Sequence, residues 1–134
     1  LLQSEGVGTD RNIGNGAFML KSGKIEIDLP VNCKYAMSLS IFIPENQEQL
    51  KDMLSGENVA YDFTRRGGWI TNSPYNTIRK KYIHAFLPAS VFLLLVDNFC
   101  IKGQTVNLRP DLKFQQIPYP IWRNGKSIFI PINI

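Results

Sequence analysis

Tyr35-Ala36-Met37-Ser38-Leu39-Ser40-Ile41-Phe42-Ile43 decides the fold class. Tyr35, Met37, Leu39, Ile41 and Ile43 fall on one side of this run, and Ala36, Ser38, Ser40 and Phe42 on the other. A repeat of two is that of a β-strand, whose successive side chains point to opposite faces. The second side is small, which suits close packing or a solvent surface. Pro44 ends the run, since proline has no N–H to give to a sheet ladder.

The same alternation recurs outward in both directions. Upstream, Ile25, Ile27 and Leu29 alternate with Lys24, Glu26 and Asp28 until Pro30. Ala17 to Leu20 reads as a further strand, with Lys21-Ser22-Gly23 as the hairpin loop between the two. Downstream, strands are predicted over Asn58–Thr64, at Trp69-Ile70, over Ile78–Phe86, Val91–Val96 and Thr105–Leu108, weakly over Phe114–Ile117, and from Ile128 to the end. Arg65-Arg66-Gly67-Gly68, Asn72 to Asn76, Asp97-Asn98, Lys102-Gly103 and Arg109-Pro110-Asp111 supply turn chemistry between them. Asn124-Gly125 is the strongest two-residue hairpin signal in the chain. Pro131 within the last run predicts an edge position or a bulge.

Only one segment breaks the pattern. Between Pro44 and Gly56, Leu50, Met53 and Leu54 fall at i, i+3 and i+4, with Glu45 and Glu48 ahead of them and Gly56 just beyond. That is a short amphipathic helix with acidic residues at its positive end. Counting about nine or ten strands, with turns roughly every eight to twelve residues, we expect an all-β antiparallel sandwich of jelly-roll type. The single helix sits near residues 45–55. Residues 1–134 are read as a single domain, with 1–16 as an N-terminal extension or linker. The start at Leu1-Leu2-Gln3 reads as a C-terminal fragment of something longer.

Composition narrows the function classes. With 134 residues, 44% hydrophobic and 19% charged, the chain has enough apolar content to fold without a staple. Its longest apolar runs, Phe86 to Ala89 and Val91 to Val96, fall far short of the ~20 residues that span a bilayer. The net charge of +4 permits an anionic partner without requiring one. Cys33 and Cys100 have no metal spacing and read as free buried thiols, with a bridge between them left open.

Catalytic patterns are sparse. His84 is the sole histidine and lies between Tyr82 and Phe86 on one strand face, where a packed or hydrogen-bonded role fits best. No zinc ligand set, Walker loop or nucleophile elbow is present. Gly6-x-Gly8 and Gly14-x-Gly16 flank Thr9-Asp10-Arg11, but no strand-to-helix context makes them a phosphate loop. Glu26 and Asp28, two apart on one strand face, could act on a sugar or hold a calcium ion. More often such a pair is simply the solvated face of an edge strand.

Basic residues gather at Arg65-Arg66 and at Arg79-Lys80-Lys81, interleaved with Trp69, Tyr75 and Tyr82. Such interleaving suits nucleic acid, where bases stack and phosphates pair with cations. It also suits glycans, whose C–H faces stack on rings.

Four segments in order resemble the C-terminal receptor-binding domains of bacteriophage tail fibres. They are Gly23 to Pro30, Ala36 to Ile43, Gly67-Gly68-Trp69-Ile70-Thr71-Asn72-Ser73-Pro74-Tyr75, and Trp122-Arg123-Asn124-Gly125-Lys126-Ser127-Ile128. The resemblance implies a homotrimeric β-sandwich tip at the virion surface that binds a host-cell glycan. It implies no catalytic residues, no cofactor or metal, no nucleic-acid partner and no membrane insertion. The expected function is thus non-enzymatic receptor binding, with Arg65, Arg66, Trp69, Tyr75, Tyr119 and Trp122 as ligand contacts. The alternative is a structural or assembly β-domain of a virion, fibre or pilus. A sugar-active enzyme using Glu26 and Asp28 ranks last.

Overall fold

The computed structural model describes residues 16–96, 98–112 and 116–134. The Gly6-x-Gly8 motif, Gly14 of the second glycine motif, Asp97 of one predicted turn, and Phe114 and Gln115 of the predicted Phe114–Ile117 strand lie outside these residues.

The strand that decides the class forms as β1, Cys33–Ser38. It is followed by helix α1, Gln47–Leu54, then β2, Phe63–Arg66, and β3, Ile83–Phe86. The chain continues through β4, Val91–Val96, β5, Cys100–Lys102, β6, Thr105–Asn107, β7, Trp122–Asn124, and β8, Ser127–Ile132. The protein is therefore mostly β, with antiparallel sheets and one short helix. Eight strands are present among the described residues, rather than nine or ten. They form a four-stranded sheet, β4-β1-β8-β5, and two ribbons, β2-β3 and β6-β7. This division into one larger sheet and two ribbons curls into a half-barrel and is not the pair of facing sheets that a jelly roll requires.

Side-chain size decides which face of the large sheet is the core. Ala36 lies opposite both Phe92 and Pro131, and Ser38 opposite Phe129, and all five are buried. The small residues of β1 leave room for two phenylalanine rings. Phe42 joins from beyond β1, its ring centroid 5.0 Å from that of Phe129, 5.6 Å from Phe92 and 6.0 Å from Phe86. Edge-to-face contacts of this kind add to the burial itself. Ser127 is buried but satisfied: its Oγ accepts from the Ser40 N–H at 3.0 Å and donates to the Ser40 carbonyl at 3.1 Å.

Helix α1 forms as predicted, two residues later than Pro44 implied. Asn46 is its N-cap, and its side-chain oxygen accepts from the Gln49 N–H at 2.8 Å. Met53 is buried against the aromatic core, while Leu50 and Leu54 are half-buried.

Four expectations need correction. Ala17–Leu20 and Ile25–Leu29 form no strands. Alternation alone does not make a strand, which also needs a neighbour with free ladder groups; Ile25, Ile27 and Leu29 instead lie beside Phe99, Ile128 and Ile130 on the outside of the large sheet. Arg65-Arg66-Gly67-Gly68 is not a turn: Arg65 and Arg66 end β2, and the chain reverses only over residues 72–77.

Asn124-Gly125 does not close a hairpin, because β7 pairs with β6 and β8 with β1 and β5. Gly125 is there for close approach. Its carbonyl accepts from the Ile43 N–H at 2.9 Å, and a side chain on it would collide with Ile43.

Pro131, finally, lies in a strand between two neighbours, yet β5 stops opposite Phe129. The Leu39 N–H donates to the Ile128 carbonyl, so by the two-residue period the nitrogen of Pro131 points away from β1. The proline occupies a local edge and costs no ladder bond.

Candidate nucleic-acid interface

The β2-β3 ribbon carries the strongest concentration of functional chemistry. Its register pairs Phe63 with Phe86, Thr64 with Ala85, Arg65 with His84 and Arg66 with Ile83. Beyond the regular strands the two arms stay together: the Lys80 N–H donates to the Gly68 carbonyl and the Ile70 N–H to that of Ile78, each at 2.9 Å. Gly68, with φ +108°, holds a backbone conformation in which an L side chain would be strained.

This extension brings the two basic clusters of the sequence together. The Arg65 guanidinium lies 3.6 Å from the Tyr82 ring centroid, and that of Arg79 lies 4.6 Å from that of Trp69. Arg65, Arg79, Lys80 and Tyr82, with Gly67 and Gly68, line a shallow hollow of about 240 Å³. Trp69 and Tyr82 remain 51% and 58% exposed. A guanidinium stacked on a ring loses little of its charge and gains a fixed plane.

Among the described residues the one ion pair is Lys81 with Asp111, at 2.6 Å. Arg65, Arg66, Arg79 and Lys80 are therefore not neutralised by any described carboxylate. The Lys81 ammonium, by hydrogen bond and by charge, holds the Asp111 carboxyl below the usual carboxylate range.

Of the six residues expected to bind ligand, Arg65, Arg66 and Trp69 belong to this ribbon. Tyr75 packs edge-to-face against Tyr119 with centroids 5.9 Å apart, and the Tyr119 hydroxyl is buried. Trp122 stands apart on β7, opposite Asn107. Arg79, Lys80 and Tyr82 were not among the expected contacts although the sequence shows them. Their meeting with Arg65 depends on strand register, which spacing alone does not give. His84 is exposed rather than packed inside, with its ring between those of Phe63 and Tyr82, each 6.0 Å away.

The other sequence candidates do not assemble. Glu26 and Asp28 are exposed in an irregular segment, not enclosed in a cleft. No group of three or more potential metal ligands occurs among the described residues. Cys33 and Cys100 are unbridged, and burial pushes the Cys100 thiol up against the opposing pull of Lys102. No described helix is long and apolar enough to cross a membrane.

The ribbon thus presents exposed arginines, free of described carboxylates, beside exposed rings. The family model of the CRISPR Csm4 C-terminal domain matches residues 31–132, well over half of the chain. The chain belongs to the CRISPR Csm4 C-terminal domain family. Among curated proteins none matches it.

Membership in this family overturns the tail-fibre resemblance and what it implied. The host-glycan receptor, the fibre homotrimer, the virion-surface location and the exclusion of nucleic acid all fall with it, as does the alternative of a virion, fibre or pilus assembly domain. The physical reason lies in the segments that carried the likeness. Gly23 to Pro30 forms no strand and precedes the matched residues, Trp69 makes only an isolated bridge to Arg79, and the Asn124-Gly125 junction separates strands of different sheets.

Proposed function

We propose that this chain is a non-catalytic, RNA-binding β-domain of a CRISPR ribonucleoprotein complex, and that the β2-β3 ribbon is its contact with the RNA. The family match supports the setting. The observation that carries the site is the pair of ring-stacked arginines, Arg65 on Tyr82 and Arg79 on Trp69, on a surface without described neutralising carboxylates. Planar guanidinium groups hold phosphates by paired hydrogen bonds, and their stacking fixes the direction in which they present them. RNA without a required sequence binds in this manner, by backbone charge and ring faces.

Fluorescence anisotropy with a labelled single-stranded RNA, measured across a salt series, tests this. The native chain should bind, with affinity falling as salt rises. Arg65→Ala and Arg79→Ala should each weaken binding and lower the slope of log affinity against log salt by about 0.7, the value for one phosphate contact to a single strand. Unchanged affinity in the double variant would remove the ribbon from the RNA contact.

A further inference from the structure

Next to the cationic end of the ribbon lies a feature that phosphate binding does not use. One face of the ribbon carries Phe63 and Arg65 from β2 and Tyr82 and His84 from the other arm. Their rings form a row: Arg65 over Tyr82, Tyr82 beside His84, and His84 beside Phe63. At its inner end the row opens into a groove of about 370 Å³ between α1 and the ribbon, lined by Pro44, Leu50, Leu54, Tyr61, Phe63 and His84. No Asp, Glu, Lys or Arg lines it, so it suits neither a phosphate nor a free cation. Phe63 is 57% exposed at its mouth.

We infer that this groove seats an unpaired nucleobase of the RNA strand whose phosphates lie on the arginines. The inference rests on the RNA-binding reading of the ribbon and adds to it the place of a base. Charge complementarity along the ribbon selects this occupant. Two residues of strand, from Phe63 to Arg65, span about 7 Å. That is close to the step between neighbouring phosphates of an extended strand, so a phosphate on Arg65 brings a base to Phe63 and His84. Ring walls stack any base, and the imidazole of His84 and the hydroxyl of Tyr61 are the polar side-chain groups available to its edge. A base held in a duplex cannot enter, because its faces are already stacked and its edge already paired.

The test compares, on the full 134-residue chain, labelled oligouridylate, an abasic strand of equal length and a blunt RNA duplex. Oligouridylate should bind about tenfold more tightly than the abasic strand, the scale of one stacked base. Phe63→Ala and His84→Ala should remove that advantage. Neither should alter abasic-strand binding or the salt slope, and Phe63→Tyr, which keeps the ring, should behave as native. Circular dichroism and a thermal melt establish that each variant is folded. If the abasic strand binds as well as oligouridylate, or if both alanine variants keep the native preference, the groove takes something other than a base. In that case Arg65→Ala would still weaken all strands, and the proposed phosphate contact would stand. Absence of binding to every RNA would overturn both readings.

Discussion

Gly125 shows how a single residue can be read correctly as special and wrongly as to why. Beside Asn124 it has the chemistry of a tight hairpin. Its actual task is to let the chain leading into β8 press against the chain leading out of β1. A methyl group there would lie 2.5 Å from Ile43 Cβ, an atom tied to the backbone and unable to swing aside. Gly125→Ala should therefore cost about 1–3 kcal/mol in a urea melt, the usual range for overpacking. Combining it with Ile43→Gly should cost less than the two changes added, because the second removes what the first strikes. The sequence displays the glycine, but its partner lies far along the chain, and only the folded register brings them together. The same holds for Arg65 and Tyr82, both visible as residue types suited to a polyanion and neither visible as a stacked pair.

At the level of elements, local signals served best where the element closes on itself. Helix α1 was legible because its apolar spacing, acidic start and closing Gly56 all lie within one short stretch, and its hydrogen bonds are internal, whereas its Asn46 cap was not read. Asn46→Ala should lower stability by about 1 kcal/mol in denaturant unfolding, while Asn46→Asp, which keeps an accepting oxygen, should stay near native. The strand β4 was legible as a strand from its six-residue apolar run, but the cover on both faces that such a run suggests is absent: β4 lies at the edge of the large sheet and leaves Leu95 exposed. Ile25–Leu29 was not, since its alternation is as regular as that of β1 but it has no ladder partner. The polarity of β1 left two readings open. The side bearing Ala36 and Ser38 suited close packing or solvent, and it is the core, because small residues there make space for Phe92 and Phe129.

Across the whole molecule, the ribbon is tied to the β6-β7 side of the fold. The Lys81 N–H donates to the Leu108 carbonyl at 2.8 Å, and the Lys81 side chain reaches Asp111. Asp111 thus occupies a cation that adjoins the proposed RNA surface. Asp111→Asn should tighten RNA binding a few-fold and steepen the salt dependence by up to about 0.7, as Lys81 becomes free to meet a phosphate. The pH dependence follows from the lowered Asp111 carboxyl. The pair persists throughout the ordinary carboxylate range and is lost only as pH falls through the lowered folded value, so native affinity should rise towards that of the variant there, whereas the variant shows no such step. Its contribution to stability is small, because both partners are exposed. At this scale the sequence was least informative. Charge and aromatic content allowed glycan or nucleic acid alike, and the choice between them came from the family match and from the convergence of two distant basic clusters.

Pro131 has an implication for what else could stand in its place. Its nitrogen faces the stretch where β5 has ended, yet the residue is fully buried. Any other residue would bring to that spot an N–H with no β5 rung to receive it, and an orphaned buried donor costs about 1–3 kcal/mol. The ring that looked like an interruption of the last strand spares the sheet that loss.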